Sequence, residues 1–349
     1  MGIDTRAALT REAVDRLSRA DLSPQELLHE AATRIRRAVA FDFGAWVTLD
    51  PDTLLPTCNV RFAKPDNLIE GFWDNELLTP DVHKFSELAS RRSPVATMAT
   101  ADPEARDKST RRKLIHERLG VGDEARVMLR LDRTTWGAGC LYRDGGARDF
   151  DEHERQFLGE VSIDLAQGLR RSLAGRRGTA VPIETVGVVT LDHELNVLSS
   201  TAEASRMLAQ MPDDARTTVR AVAIRTRASG GGADDGPRHV RVQLDDGSWI
   251  RLQAEQLKGD ADEQHRVAVI IDRAPRTDVV SLTLRLHGIS RREREVAQLL
   301  VTGMPTDAIA ARLQISRHTL RDHVKAIFAK LGVSSRSELT ARIAGDNVA

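Results

Sequence analysis

The sequence predicts a multidomain chain: an α+β domain, a smaller α+β domain, and an all-α domain of four helices at the carboxy terminus. Three observations predict it. The chain has 349 residues, and a domain takes about 100–200. Its 41% hydrophobic and 29% charged content is that of a folded soluble protein. The apolar pattern also changes along the chain, mixed over residues 1–175, strand-rich over 183–275 and helical over 288–349.

The first domain begins with a charged, helical stretch. Ser23-Pro24-Gln25-Glu26 then starts a helix, with a cap, a proline at the first helical position and a glutamate three residues after the cap. Leu27, Leu28, Ala31, Ile35, Ala38 and Val39 give it an apolar face. Phe43 to Leu49 reads as a strand ended by Asp50-Pro51-Asp52. Arg126–Leu131 and Trp136–Tyr142 read as a strand pair around a short polar turn. From Asp151 a long amphipathic helix carries Phe157, Leu158, Val161, Leu165, Leu169 and Leu173. These elements predict an antiparallel sheet with helices on one side.

Ala174–Ala180 (AGRRGTA) reads as a linker. In the second domain, Val186–Leu191 and Leu195–Ser199 flank the turn Asp192-His193-Glu194. Val240, Val242 and Leu244 alternate, Asp245-Asp246-Gly247 turns the chain, and Ile250, Leu252 and Ala254 alternate again, a strong hairpin pattern. Val267–Ile271 is a further strand, and Gly230-Gly231-Gly232 marks a loop. No internal repeat is visible. Residues 276–287 read as a helical connector.

The last 62 residues show no strand signal. Ser290-Arg291-Arg292-Glu293 is a capping box opening a helix with Val296, Leu299 and Leu300 on one face, ended by Gly303. Pro305, Thr306 and Asp307 start a short second helix with Ile309, Ala310 and Leu313 inward. Ser316 caps a third, where Leu320, Val324, Ile327, Phe328 and Leu331 form one face and His318, Arg321, Asp322 and Lys325 the opposite one. Gly332 stops it. Ser335-Arg336-Ser337-Glu338 is a second capping box, opening a fourth helix with Leu339 and Ile343 inward. Two short helices, a tight turn and a basic face match a helix-turn-helix, whose second helix fits the DNA major groove. The same spacing fits an ordinary helical tail with a solvated charged face.

The wording of the segment decides between them. Arg292-Glu293-Arg294-Glu295-Val296, Gly303, Ile309-Ala310, Leu313, Ile315-Ser316, Thr319, His323-Val324 and Lys330-Leu331-Gly332-Val333 make residues 288–343 resemble the LuxR/FixJ-type DNA-binding domain. The resemblance implies double-stranded DNA as partner, a third helix that reads it, and a fourth that supports a homodimer, with Leu339 and Ile343 on it. Arg321, Asp322 and Lys325 fall where the family's groove contacts concentrate. Ser316, Arg317, His318, Thr319 and His323 complete the candidate DNA-binding set, Arg317 and His318 nearer the backbone. Asp322 departs from expectation, since a carboxylate is repelled by phosphate; it either accepts from cytosine N4 or pairs with His318 or Arg321. RNA polymerase is a candidate further partner.

Charge divides the same way. The chain balances 51 basic against 51 acidic side chains. Residues 288–349 hold ten basic and six acidic, a surplus of four, so the preceding 287 carry a deficit of four. This split raises the expectation that the acidic body docks on the basic tail and holds it off DNA.

For the body, residues 1–20 lack the acidic pair of a phosphate receiver, and no Gly-Lys dipeptide exists for a nucleotide loop. Phe41–Thr57 (FDFGAWVTLDPDTLLPT) is similar to the front of GAF-like domains, and Val186–Leu208 with the later hairpin looks like a PAS-type sheet. Those resemblances imply a sensor of a small molecule or a partner, its effector unnamed. Trp46, Phe72, Trp73, Phe85, Trp136 and Cys140 are candidates to line a cavity, or simply to pack a core. Cys58 and Cys140 are candidate redox thiols, with a buried structural thiol the ordinary reading.

Enzyme motifs are missing. His29-Glu30, His116-Glu117 and His153-Glu154 each lack the second histidine of a zinc-protease helix, and no G-x-S-x-G elbow occurs. Ten histidines scatter without ligand spacing, so neither metal nor cofactor is assigned. Two cysteines imply a reducing compartment. The longest uncharged stretch, Val296–Thr306, is far shorter than the roughly 20 residues of a membrane helix, and MGIDTRAALTREAVDRL has no apolar signal core. The chain reads as a cytoplasmic, non-enzymatic DNA-binding regulator.

Overall fold

Two antiparallel sheets of five strands and a bundle of four short helices are joined by one helix that belongs to two cores. A computed structural model describes residues 3–62, 71–176, 186–212, 215–228, 238–257 and 266–345. The glycine loop expected at Gly230-Gly231-Gly232 and residues 177–180 of the expected linker lie outside them, while Ala174 and Gly175 end a helix.

The first domain runs α1 (Ile3–Arg19), α2 (Pro24–Ile35), β1 (Phe43–Leu49), β2 (Pro56–Phe62), α3 (Phe72–Leu78), β3 (Val95–Thr97), β4 (Val121–Leu131), β5 (Thr134–Asp144) and α4 (Glu152–Gly175). Short helical turns fill the stretch between α3 and β4. The α2 capping box forms in both directions: Glu26 N–H donates to Ser23 Oγ at 3.2 Å and Ser23 N–H to Glu26 Oε2 at 2.8 Å. The sheet order is β2-β1-β5-β4-β3.

Helices cover this sheet on both faces, where one was expected. The reason is in β1 and β5, which are apolar at both parities and so have no side to offer to water. Trp46 and Leu141 face α1, α2 and α4 with Leu28, Leu158 and Leu165. Phe43, Val47, Ala138, Cys140 and Tyr142 face the short helices with Trp73, Phe85 and Leu88. Gly139 lies opposite Trp46, and a Cβ there would sit 2.2 Å from the indole ring. That close approach requires glycine at 139, and at Gly137 a Cβ would sit 2.6 Å from Val47 O.

The second domain comprises β6 (Gly187–Leu191), β7 (Val197–Ser200), α5 (Ala202–Ala209), α6 (Ala215–Ala228), β8 (His239–Gln243), β9 (Trp249–Gln256) and β10 (Val267–Arg273). Its order, β7-β6-β10-β9-β8, is that of the first sheet repeated. The β8–β9 hairpin turns at the expected Asp-Gly, with Gly247 at φ +85° and Asp246 accepting from Ser248 N–H at 2.9 Å. Helices α5 and α6 pack one face, and on the other Arg241, Gln243 and Trp249 meet the first domain. α6 also lies on α3, so the two domains share one apolar cluster.

An ionic clasp reinforces that junction. Arg241 of β8 donates to both Asp50 oxygens, at 2.7 and 2.9 Å, and to Asp52 at 2.6 Å. Asp52 also pairs with Arg285 of α7 (Arg276–Leu286). Alternate residues of α7 serve different cores: Leu282 and Leu286 are buried with the first domain, Leu284 with the carboxy-terminal helices.

Those helices are α8 (Arg291–Val301), α9 (Thr306–Arg312), α10 (Arg317–Leu331) and α11 (Arg336–Gly345). Ser290 and Glu293 form the expected capping box. Gly303 and Gly332 end α8 and α10 at φ +86° and +62°. The second box is half as written. Ser335 Oγ accepts from Glu338 N–H at 3.0 Å, but the Glu338 carboxylate accepts from Ser334 N–H at 2.8 Å, one residue before the expected partner.

Candidate nucleic-acid interface and sensory cavity

Helix α10 is oriented by its apolar side. Leu320, Ile327 and Leu331 are buried with Val296, Ala297, Leu300 and Ile309. That packing turns His318, Arg321, Asp322 and Lys325 to solvent. Ser316 caps the helix, its Oγ accepting from Thr319 N–H at 3.0 Å and lying 2.9 Å from the Thr319 hydroxyl. The turn from α9 is closed by Gln314 at φ +53°, with Ile315 N–H bonded to Ala310 O at 3.0 Å. No glycine marks this left-handed position, so the sequence hides it.

The structure sorts the expected residues. Ser316, Arg317, His318, Thr319, Arg321, Asp322 and Lys325 are exposed on one side, whereas His323 is half-buried at its flank. Asp322 lies 3.7 Å from His318 one turn earlier, and Arg317 pairs with Asp307 of α9 at 2.8 Å. Arg321 and Lys325 make no ion pair among the described residues. They stand one turn apart, about 6 Å along the axis.

Other cations of the surplus are engaged within the bundle. Lys330 reaches both Glu293 oxygens, at 2.7 and 2.9 Å. Arg336 bonds the end of α8 at Leu300 O, 2.8 Å, and Met304 O, 2.9 Å, and Arg294 bonds Ile289 O at 2.8 Å. Leu339 is fully buried in the bundle core, and the Ile343 side chain lies outside the described residues. The acidic body does not cover the exposed face of α10, contrary to the expected docking. Its contacts with the tail run through α7 instead.

In the first domain a cavity of about 50 Å³ opens between the sheet and the short helices. Phe72, Trp73, Phe85 and Cys140 line it as expected, joined by Phe43 and Tyr142. Trp46 and Trp136 do not; both belong to the core on the opposite face. Cys58 and Cys140 are buried, and burial pushes the Cys140 thiol up to about 12, which keeps it protonated and unreactive.

Behind the aromatic wall lies a charge network absent from the sequence reading. Arg126 donates to Glu76 at 2.8 Å, Glu124 at 3.1 Å and His83 O at 3.0 Å. Its guanidinium sits 4.7 Å from the Phe85 ring centre and 5.4 Å from that of Phe72. Glu124 also accepts from Arg111 at 2.8 Å. Burial works to raise the Glu124 carboxyl, but Arg111 and Arg126 hold it well below its ordinary value. Alternation in β4 was the available signal, since it puts Glu124 and Arg126 on the same face as buried Met128.

Comparison with known proteins meets the chain at this interface. Residues 287–343 match the luxR family of bacterial regulatory proteins (GerE). An HTH-type transcriptional regulator of Aeromonas salmonicida is 49% identical over 51 residues, 15% of this chain and 26% of that protein. The transcriptional regulatory protein NarL of Mycobacterium tuberculosis is 33% identical over 137 residues, 35% of this chain and 61% of that protein. The spore germination protein GerE of Bacillus subtilis is 42% identical over 55 residues, 16% of this chain and 74% of that protein. The chain thus spans about a quarter of the first and under two thirds of the second.

Proposed function

Since the chain belongs to the luxR family of bacterial regulatory proteins, we propose that it is a sequence-specific regulator whose front domains answer to a small molecule or partner. Its carboxy-terminal domain is a luxR-type DNA-binding domain, and the chain is a transcriptional regulator, not an enzyme. Among the described residues no helix is long and apolar enough to cross a membrane, and the proposed location is the cytoplasm.

The observation that carries the DNA reading is the pair Arg321 and Lys325, exposed one turn apart on the face opposite the bundle core. In this reading α10 enters the major groove, with Arg321 and Lys325 reaching base edges or phosphates. Ser316, Arg317 and Thr319 approach the backbone from the helix start, and His323 from its flank. Asp322 lies 3.7 Å from His318, whose imidazole offsets its repulsion toward phosphate when protonated. Two chains pair on a roughly twofold site with half-sites about 10 bp apart. Because Leu339 is committed to its own core, the α11 face open to a second chain is Ser337, Thr340 and Ala341. RNA polymerase is the proposed target of the bound dimer.

The first domain is read as GAF-like and the second as PAS-like, supported by antiparallel sheets of matching strand order. The aromatic cavity is the proposed effector site. Binding of labelled operator fragments, recovered by genome-wide mapping, tests the assignment by anisotropy. Arg321→Ala or Lys325→Ala should each cost about 1–3 kcal/mol if the contact is to a base. A phosphate contact should instead weaken all sequences evenly and lower the salt slope by about one. Unchanged binding of both variants rejects the groove assignment. Thermal-shift screening with metabolites tests the sensor: no shift with any compound favours domains that act only as dimer scaffolds.

A further inference from the structure

A second cavity, of about 30 Å³, lies where the first domain, the second domain and α7 meet. Thr48, Cys58 and Trp136 line it from the first sheet, Gln243 and Trp249 from the second, and Leu282 from α7. Two of these residues carry buried polar atoms without a protein partner: Trp136 Nε1, in a side chain 1% exposed, and Gln243 Oε1, in one 5% exposed. The Gln243 amide is oriented by its other end. Its Nε2 donates to Leu173 O at 3.3 Å, Arg176 O at 3.0 Å and Gly247 O at 3.2 Å, so the unmatched atom is an acceptor. Both side chains line the one cavity, one carrying an unmatched donor and the other an unmatched acceptor. A buried polar atom left unmatched is costly, which gives such a cavity a preference for a molecule carrying the complementary pair.

We infer that this junction is a binding site for a small neutral primary amide. The amide carbonyl would accept from Trp136 Nε1–H, and its NH₂ would donate to Gln243 Oε1. The charges at the rim, Asp50 and Arg241, already satisfy each other, which leaves no demand for an ionic ligand. The volume admits about two or three water-sized groups, the size of an amide headgroup. Occupancy is felt by α7, because Leu282 lines the cavity and Arg285 on the same helix is tied to Asp52. The regulatory consequence rests on the sensor reading given above; the binding site does not.

Formamide and acetamide are the probes, titrated into the full-length protein while the indole ¹H–¹⁵N signals of its four tryptophans are followed. The Trp136 signal is identified by its loss in Trp136→Phe. Its saturable shift, with the Trp46 and Trp73 signals still, is the expected result, and Gln243→Met should weaken saturation about tenfold. A Trp136 signal that does not move, as for a site holding ordered water only, overturns the proposal. So does a linear drift of all four. If Gln243→Met does not fold, the titration of the unaltered protein decides alone. DNA affinity measured with and without acetamide then tests coupling: a change in the unaltered protein and none in Trp136→Phe supports it, and equal changes overturn it. Absence of DNA binding both with and without amide would refute the regulator reading while leaving the indole titration intact.

Discussion

The two sheets have the same strand order and opposite surroundings. In the first, helices cover both faces, and the strands carry a buried ion network, an aromatic cavity and a glycine pressed under tryptophan. In the second, helices cover one face, the edge strand β7 is exposed along its whole length, and Val197 and Leu198 are each about half exposed. One topology thus serves as a closed sandwich and as an open half. The difference lies in side-chain parity: β1 is buried at both parities and demands two covers, whereas burial alternates along β6, which demands one.

The largest test of this contrast sets a buried ion pair against a partly exposed one. Arg126→Met strips partners from Glu76 and Glu124 in the dry interior and should cost about 3–5 kcal/mol in urea unfolding. Arg251→Met removes the Arg251–Asp272 pair of the second sheet, 2.7 Å apart and about a quarter exposed, and should cost less than about 1 kcal/mol. Equal losses would break the comparison.

Acid sharpens it. Because Glu124 titrates well below its ordinary value of 4.5 in the fold, its stabilising contribution is present above that value and is lost as pH falls through the depressed one. Urea midpoints measured below about pH 4.5 should therefore fall steeply in the unaltered protein, and less steeply in Arg126→Met, where the depression is smaller.

Gly139→Ala places a methyl against the Trp46 ring and should cost about 1–3 kcal/mol by the same measurement. The smallest effect belongs to the open half: Leu198→Ser should change stability by no more than about 0.5 kcal/mol. A larger loss would mean that β7 is covered in solution.

Local signals made much of this legible in advance. The serine–glutamate boxes at Ser23 and Ser290, the glycine stops and the Asp-Gly hairpin act within a few residues, so sequence suffices to read them. The orientation of α10 followed from its apolar stripe. What stayed hidden depends on distant partners. Glu76, Arg111, Glu124 and Arg126 resemble surface charges until the fold collects them. Lys330 and Arg336 counted toward the basic surplus of the tail, but they hold α8 in place. The repeated strand order leaves no trace in residue identity, because each sheet satisfies it with different side chains.

Helix α7 has a practical consequence for dissecting the molecule. The family match begins at residue 287, an inviting place to cut. A fragment starting there would lose Leu284 from the bundle interior, while one starting at residue 276 would carry Leu282 and Leu286 bare into water, where they invite self-association. No scissile point leaves both halves whole. The boundary drawn by heredity and the boundary drawn by cooperativity fall on opposite ends of the same eleven-residue helix.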